Sequence, residues 1–229
     1  MAAQHDINLS TPLSLRTAFR FPLQSSIARR EVAIGALWLL VPVVGWLLNM
    51  GHRIQMTHRM QHGAPAWPAW TDYRSLFRHG LITFLGMVEY HLPAVVCEFG
   101  ARWFQVGWLH PVAAVLWIGA TLAVPGYMSH YCFTLDPREV FDPFRAITRV
   151  VQGGREYWHA WGIALVALFC SFLGLLAFGI GFLFTSVWFW QVAGFSFATV
   201  FTDAFHLRRS GEPNAGAKVP GIPSAAKSC

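Results

Sequence analysis

The chain has 229 residues, 55% of them apolar and 12% charged, with a mean hydropathy of +0.42. Soluble domains carry about 25% charged residues, so the composition speaks against a water-soluble globular domain and for an all-α, polytopic helical membrane protein. The formal charge of +6, from 17 Arg and Lys against 11 Asp and Glu, suits cytoplasmic loops and anionic lipid headgroups and calls for no nucleic acid.

Residues 1–32 form a polar, amphipathic amino-terminal segment without the apolar core of a cleavable signal peptide, so the first hydrophobic segment is expected to direct insertion itself. That segment, about 33–50, holds 16 residues without a polar side chain, Ala33 to Leu48. A full crossing needs roughly 20, and Pro42 and Gly45 interrupt the run, so it is expected to break there and re-enter. A short, kinked crossing stays open as the alternative.

Residues 49–80 read as a basic loop, whose later part mixes aromatics with arginines, and Trp67, Trp70, Arg74 and Arg78 are expected at the lipid interface. The span at about 80–98 carries Glu89, His91 and Pro93, the last a further helix break. The span at about 106–128 is interrupted only near its ends, by His110 and Pro125. From Leu135 to Val151 the spacing of Val140, Phe144, Ile147 and Val151 predicts a second surface-lying amphipathic helix, with Arg145 and Arg149 at the lipid interface. Ala160 to Thr202 then offers 43 residues with no ionisable group, about 65 Å as one helix, so two spans are expected, about 160–180 and 183–204, turning near Gly179 to Ser186. The tail, 207–229, is rich in Gly, Pro, Ala and Ser and is expected to be flexible. The expectation is therefore four full transmembrane helices, a broken or re-entrant first segment and two interfacial helices, all in one membrane domain over 33–206.

Orientation follows from the basic residues. With a re-entrant first segment, sixteen of the seventeen Arg and Lys lie on one side and only Arg102 on the other, which puts both termini in the cytoplasm.

Residue chemistry offers few sites. Glu89 sits at mid-span, where it is expected to face protein and to be either protonated or paired, with His110, Arg102 or the turn at Pro42 to Gly45 as the candidate partners. His91 and His110, at similar depth on neighbouring spans, are the one pair with which a haem or chlorophyll-type pigment could be ligated; otherwise no cofactor is expected. His58 and His62 share a helical face but have no acidic or cysteine ligand beside them, so no metal is expected. Cys97, Cys132, Cys170 and Cys229 show no CxxC spacing. Most of the eleven tryptophans fit an interface belt, and Ala177/Gly181 and Gly194/Ala198 are small-residue pairs suited to close helix packing. No GxSxG, HExxH or Walker A motif is present, and no catalytic residue is assigned.

The order of the pieces resembles the bacterial integral membrane family called domain of unknown function 4013. The residues that carry the resemblance are LRTAFRFP (Leu15 to Pro22), LLVPVVG followed by GHRIQMTHRMQHG, PAWPAWTDYRSLFRHG, YHLP (Tyr90 to Pro93), FDPFRAI and the closing pair of apolar helices. It covers the chain from about residue 15 to 209 and implies a helical fold in a bacterial inner membrane, with no activity to carry over. The expected function is that of a non-catalytic scaffold or accessory subunit, with membrane lipids and other membrane subunits as partners. A small transporter or conduit using Glu89 and the broken first segment is one alternative. A haem- or pigment-binding subunit of a photosynthetic or respiratory complex is the other.

Overall fold

The computed structural model describes residues 7–176 and 179–208; Ala177 and the tail beyond Arg208 lie outside them. The described residues are helical and contain no strand: α1 (Leu15–Arg20), α2 (Ser26–Trp38), α3 (Val44–Gln61), α4 (Tyr73–Phe104), α5 (Leu109–Thr134), α6 (Pro143–Gln152), α7 (Gly154–Phe172) and α8 (Ile180–Ala204). Four helices are long and apolar enough to cross a membrane: α4, α5, α7 with its one-turn extension to Leu176, and α8. The multi-pass helical architecture expected from composition is therefore present.

Short polar side chains start four of the helices. Ser14 and Ser25 accept from backbone amides of α1 and α2, Asp72 accepts from Arg74 and Ser75 at the head of α4, and Asp142 accepts from Arg145 at the head of α6. α4 and α5 each end on a left-handed residue, Gln105 and Leu135, whose own amides donate back to the Ala101 and Tyr131 carbonyls.

The first hydrophobic segment is an antiparallel helical hairpin. Asn49 on α3 donates to the Gly35 carbonyl on α2 at 3.0 Å, and His52 meets Glu31 at 2.8 Å. The connection Leu39–Val43 contains Pro42, and Val43 (φ 65°, ψ −62°) forms a tight three-residue turn in which the Val44 amide donates to the Pro42 carbonyl at 2.7 Å. Gly45 follows in the first turn of α3, where a Cβ would lie 1.6 Å from the Trp38 carbonyl oxygen. The hairpin tip is apolar and exposed, with Leu40 at 62% and Val43 at 66%. Its arms reach well beyond 33–50, however, and GHRIQMTHRMQ, read from sequence as a basic loop, is the buried helix α3.

α3 packs against α2, α4, α5 and α8 and so lies inside the bundle. Its crossing with α4 depends on two glycines. A Cβ on Gly51 would come within 1.8 Å of the Leu76 carbonyl, and one on Gly80 within 1.9 Å of the Leu47 carbonyl. Such contact between backbones is the use small residues have in membrane helix packing.

Several expectations need correction. Trp67 and Trp70 are not at a lipid interface: each is 9% exposed and packs inside the bundle, while Tyr73 to Phe77 are already the first turn of α4. An aromatic-rich segment suits a protein interior as well as a headgroup layer, and here the hairpin supplies the partners. Arg74 and Arg78 are exposed. Pro93 does not break its helix, since α4 runs through it for 32 residues; with apolar neighbours and no competing partner for the chain, one lost hydrogen bond does not unwind the turn. In the 135–151 segment, Val140 precedes the helix and is fully buried, whereas Phe144, Ile147 and Val151 are 83%, 54% and 74% exposed. Arg149 is held by Glu139 at 2.6 Å, while Arg145 stays largely exposed beside Glu139 and Asp142. The last span, α8, starts at Ile180, earlier than expected, because Gly179 takes φ 77° and caps it.

Gly80→Val is expected to lower stability by about 1–3 kcal/mol or more through overpacking against Leu47. Gly119→Ala, in a helix with open space around it, is expected to leave the melting temperature unchanged or slightly raised. Thermal unfolding followed by circular dichroism in mild detergent checks both.

Candidate functional site

The chemistry of this chain gathers on α3. Between Met50 and Gln61 only Gln55, His58 and Arg59 escape full burial, so His52, Arg53, Thr57 and Gln61 all lie in the interior. With no water layer to serve them, these groups need partners from the surrounding helices.

Most find one. The neutral ring of His52 donates through Nε2 to Glu31 Oε2 at 2.8 Å, and the same carboxylate oxygen accepts the Ala69 amide at 2.9 Å. Trp70 donates its indole N–H to the Glu31 carbonyl at 3.1 Å, and the His52 ring stacks on Trp70 at 4.2 Å and on Trp67 at 5.9 Å. Burial acts to raise the Glu31 carboxyl, but the hydrogen bonds from His52 and Ala69 outweigh it and hold the group below its ordinary value. Burial pushes His52 below the ordinary imidazole value, against the opposing effect of Glu31. The pair is thus an ionised carboxylate served by a neutral histidine.

Further along α3, His58 donates to the Cys132 carbonyl at 2.7 Å, and the Gln61 amide reaches both the Ser129 carbonyl and the Thr202 hydroxyl at 3.1 Å. His62 donates to the His58 carbonyl, with the two rings 4.1 Å apart. Among the described residues no group of three or more His, Cys, Asp or Glu is placed to hold a metal ion.

Arg53 is the exception. It is 9% exposed, its Nε has no hydrogen-bond partner, and no carboxylate pairs with it among the described residues. Its stem lies against Gly194, where a Cβ would come within 2.8 Å of Arg53 Cδ, and its guanidinium carbon is 5.0 Å from the centre of the Trp190 ring. Nearby Gln191, 2% exposed, has neither side-chain atom hydrogen-bonded. Arg53 contributes to the walls of two cavities, of about 360 and about 270 Å³.

Of the residues expected to form an intramembrane polar site, Arg102 and His110 converge, whereas Glu89 and His91 do not join them. Glu89 is exposed on the outer face of α4 and has no hydrogen bond or ion pair among the described residues. Arg102 and His110 instead meet Glu98, at 2.8 and 2.9 Å. The reason is helical phase: Glu98 is nine residues from Glu89, about 180° around the helix, so it faces α5 while Glu89 faces away. Pro42 and Gly45 sit in the first hairpin and make no contact with Glu89. His91 bonds the Met87 carbonyl at 2.7 Å and Thr121 at 3.2 Å, eleven residues along α5 from His110. That is about 16 Å of helix, so the two histidines do not converge on one ligand.

Glu31, His52, Arg53 and Gln191 were not singled out from the sequence. The signal for α3 was available: Val44 to Gln61 contains no proline, and a helix could run unbroken through its basic half. No family model, curated protein or solved structure matches the chain.

The two α2–α3 shifts share a sign. A histidine whose folded value is lowered stabilises the protein above its ordinary value of 6.5 and loses that contribution as pH falls below it; Glu31 does the same as pH falls from 4.5 through its lowered value. The melting temperature is therefore expected to fall on acidification from pH 7 to 4. In His52→Gln the decline between 6.5 and 5.5 is expected to be shallower, as read by unfolding at a series of pH values.

Proposed function

We propose that the protein is a non-catalytic membrane subunit that packs the outer face of α4 against another membrane polypeptide. Glu89 carries this reading. It lies nine residues from both Gly80 and Glu98, about 13 Å of helix each way, too far for its side chain to reach either end of the apolar run. An ionised carboxylate at that depth costs about 2.5 to 3.5 kcal/mol against lipid on the lenient insertion scale. Lipid is therefore a poor neighbour for this face. A helix of a second polypeptide bearing a cation or hydrogen-bond donor is a good one, and Leu85, Leu92 and Val96, 46%, 53% and 60% exposed, complete an apolar surface around the carboxylate.

The topology proposed with it has α4, α5, α7 and α8 crossing the inner membrane of a bacterium. The α2–α3 tip dips into the bilayer and returns, and α6 lies at the cytoplasmic surface with Phe144, Ile147 and Val151 toward lipid. Both ends of the chain are then cytoplasmic, and sixteen of the seventeen basic residues share that side.

Photo-crosslinking in cells tests the contact. A photoreactive residue at Leu92 is expected to give a discrete protein adduct that weakens in Glu89→Leu, while one at Phe169, 71% exposed on α7, gives lipid only. Lipid adducts alone from Leu92 would remove the reading. Topology is checked separately, in a background without the native cysteines. Ser10→Cys and Ser210→Cys are expected to resist an impermeant maleimide in intact cells, and labelling of Ser10→Cys alone would replace the hairpin by a full crossing.

A further inference from the structure

We infer that the cleft around Arg53 binds an acidic amphiphile, whose anionic head pairs with the Arg53 guanidinium and whose single alkyl chain lies in the apolar cavity between the α4–α5 and α7–α8 hairpins.

The head is argued from charge. Arginine stays protonated in proteins and presents five N–H donors in a planar fork. Arg53 is 91% buried, by its 9% exposure, and its Nε bonds to nothing. The Trp190 ring, 5.0 Å away, contacts only the face of the guanidinium and leaves the edge donors unserved. No Asp or Glu lines either cavity that Arg53 borders. Water could accept its hydrogen bonds but could not neutralise the charge. A carboxylate or phosphate oxygen does both, and matches the fork geometry. Gln191 lines the smaller cavity with Arg53, and its unpartnered amide supplies a further donor for the same head.

The chain is argued from the larger cavity. Its about 360 Å³ is walled by side chains such as Met128, Leu168, Phe189 and Phe197, and along α5 the lining runs from Thr121 to Cys132. Those twelve residues span about 16 Å of helix, a groove suited to an extended alkyl chain. A volume near the low end of ordinary ligand pockets, roughly 300 to 1,000 Å³, suits one chain and not two. An inorganic anion would leave these apolar walls empty and is a poor match. Trp190 is 43% exposed, so the cleft reaches the outer surface of the bundle, where membrane amphiphiles have access. The acidic head can belong to a free long-chain carboxylate or to an anionic phospholipid that inserts one acyl arm.

The test uses the full chain in mild, lipid-free detergent and reads tryptophan fluorescence, because Trp161 and Trp190 line the cavity. The probes are dibromostearate, its neutral methyl ester, and brominated phosphatidylglycerol and phosphatidylcholine, whose bromines quench a neighbouring indole. Saturable quenching by dibromostearate is expected, with the methyl ester weaker by about tenfold or more, the scale of one charge-assisted hydrogen bond. Arg53→Met is expected to abolish that preference, and Trp190→Phe to reduce the quenching amplitude. Quenching by phosphatidylglycerol, but not phosphatidylcholine, that displaces the stearate supports the site and assigns a phospholipid. Quenching by the free acid alone supports the site and assigns a carboxylate. Equal affinity for acid and ester in the natural protein, non-saturable quenching, or an unchanged acid preference in a folded Arg53→Met protein would overturn the inference. The acid–ester comparison on the natural chain decides the matter even if Arg53→Met does not fold.

Discussion

The structure depends on one demand, that a helix carrying histidines, arginines and glutamines be held where there is no water. α3 meets it by sending its side chains to different neighbours: Asn49 and His52 to α2, His58 to α5, and Gln61 to α5 and α8 at once. Hydrogen bonds between membrane helices are individually modest, about 0.6 kcal/mol on average, but a buried polar group left without a partner costs about 1–3 kcal/mol. The penalty for disorder is thus larger than the gain from each bond. A one-residue slip of α3 would turn it by about 100° and strand all of these groups together, which is why the hub fixes one arrangement of the surrounding helices.

The other main features follow from keeping that hub closed. Gly51 and Gly80 let α4 approach α3 to backbone contact, and Gly45 lets α3 begin against the carbonyl of Trp38. Trp67 and Trp70 close the side of α3 that faces the loop before α4, and the Glu31 carboxylate ties that loop down through the Ala69 amide. Aromatic rings that composition alone assigns to a lipid boundary are used here to cover a buried histidine.

Two charged groups stand outside this economy, Glu89 on α4 and Arg53 on α3. Glu89 faces outward at mid-span, and Arg53 faces inward onto a cleft without a counter-ion. Each is costly for an isolated chain in lipid, and each is made reasonable by something that the chain does not itself provide. In the readings proposed above, a neighbouring polypeptide serves the first and an acidic amphiphile the second. Both readings place the role of this protein in what it holds and touches within the membrane rather than in bond-making chemistry.

Composition and apolar run length determined the helical membrane class and the four long helices, because a span needs an unbroken apolar stretch whatever surrounds it. Proline and glycine likewise placed the first turn near Pro42 and Gly45, since those residues act locally on the backbone. Glu98 and Glu89, identical in type and nine residues apart on one helix, show where sequence stopped. Which of them meets Arg102 and His110 depends on the rotation of α4 against α5. The same holds for α3, whose basic residues read as a solvated loop until four helices close around them, and for Trp67 and Trp70, whose burial needs the hairpin to be in place. Local chemistry set the elements. The facing of each charged or aromatic side chain, and with it the cleft at Arg53, was decided only by how those elements pack, because partners for buried polar groups come from segments far apart in the chain.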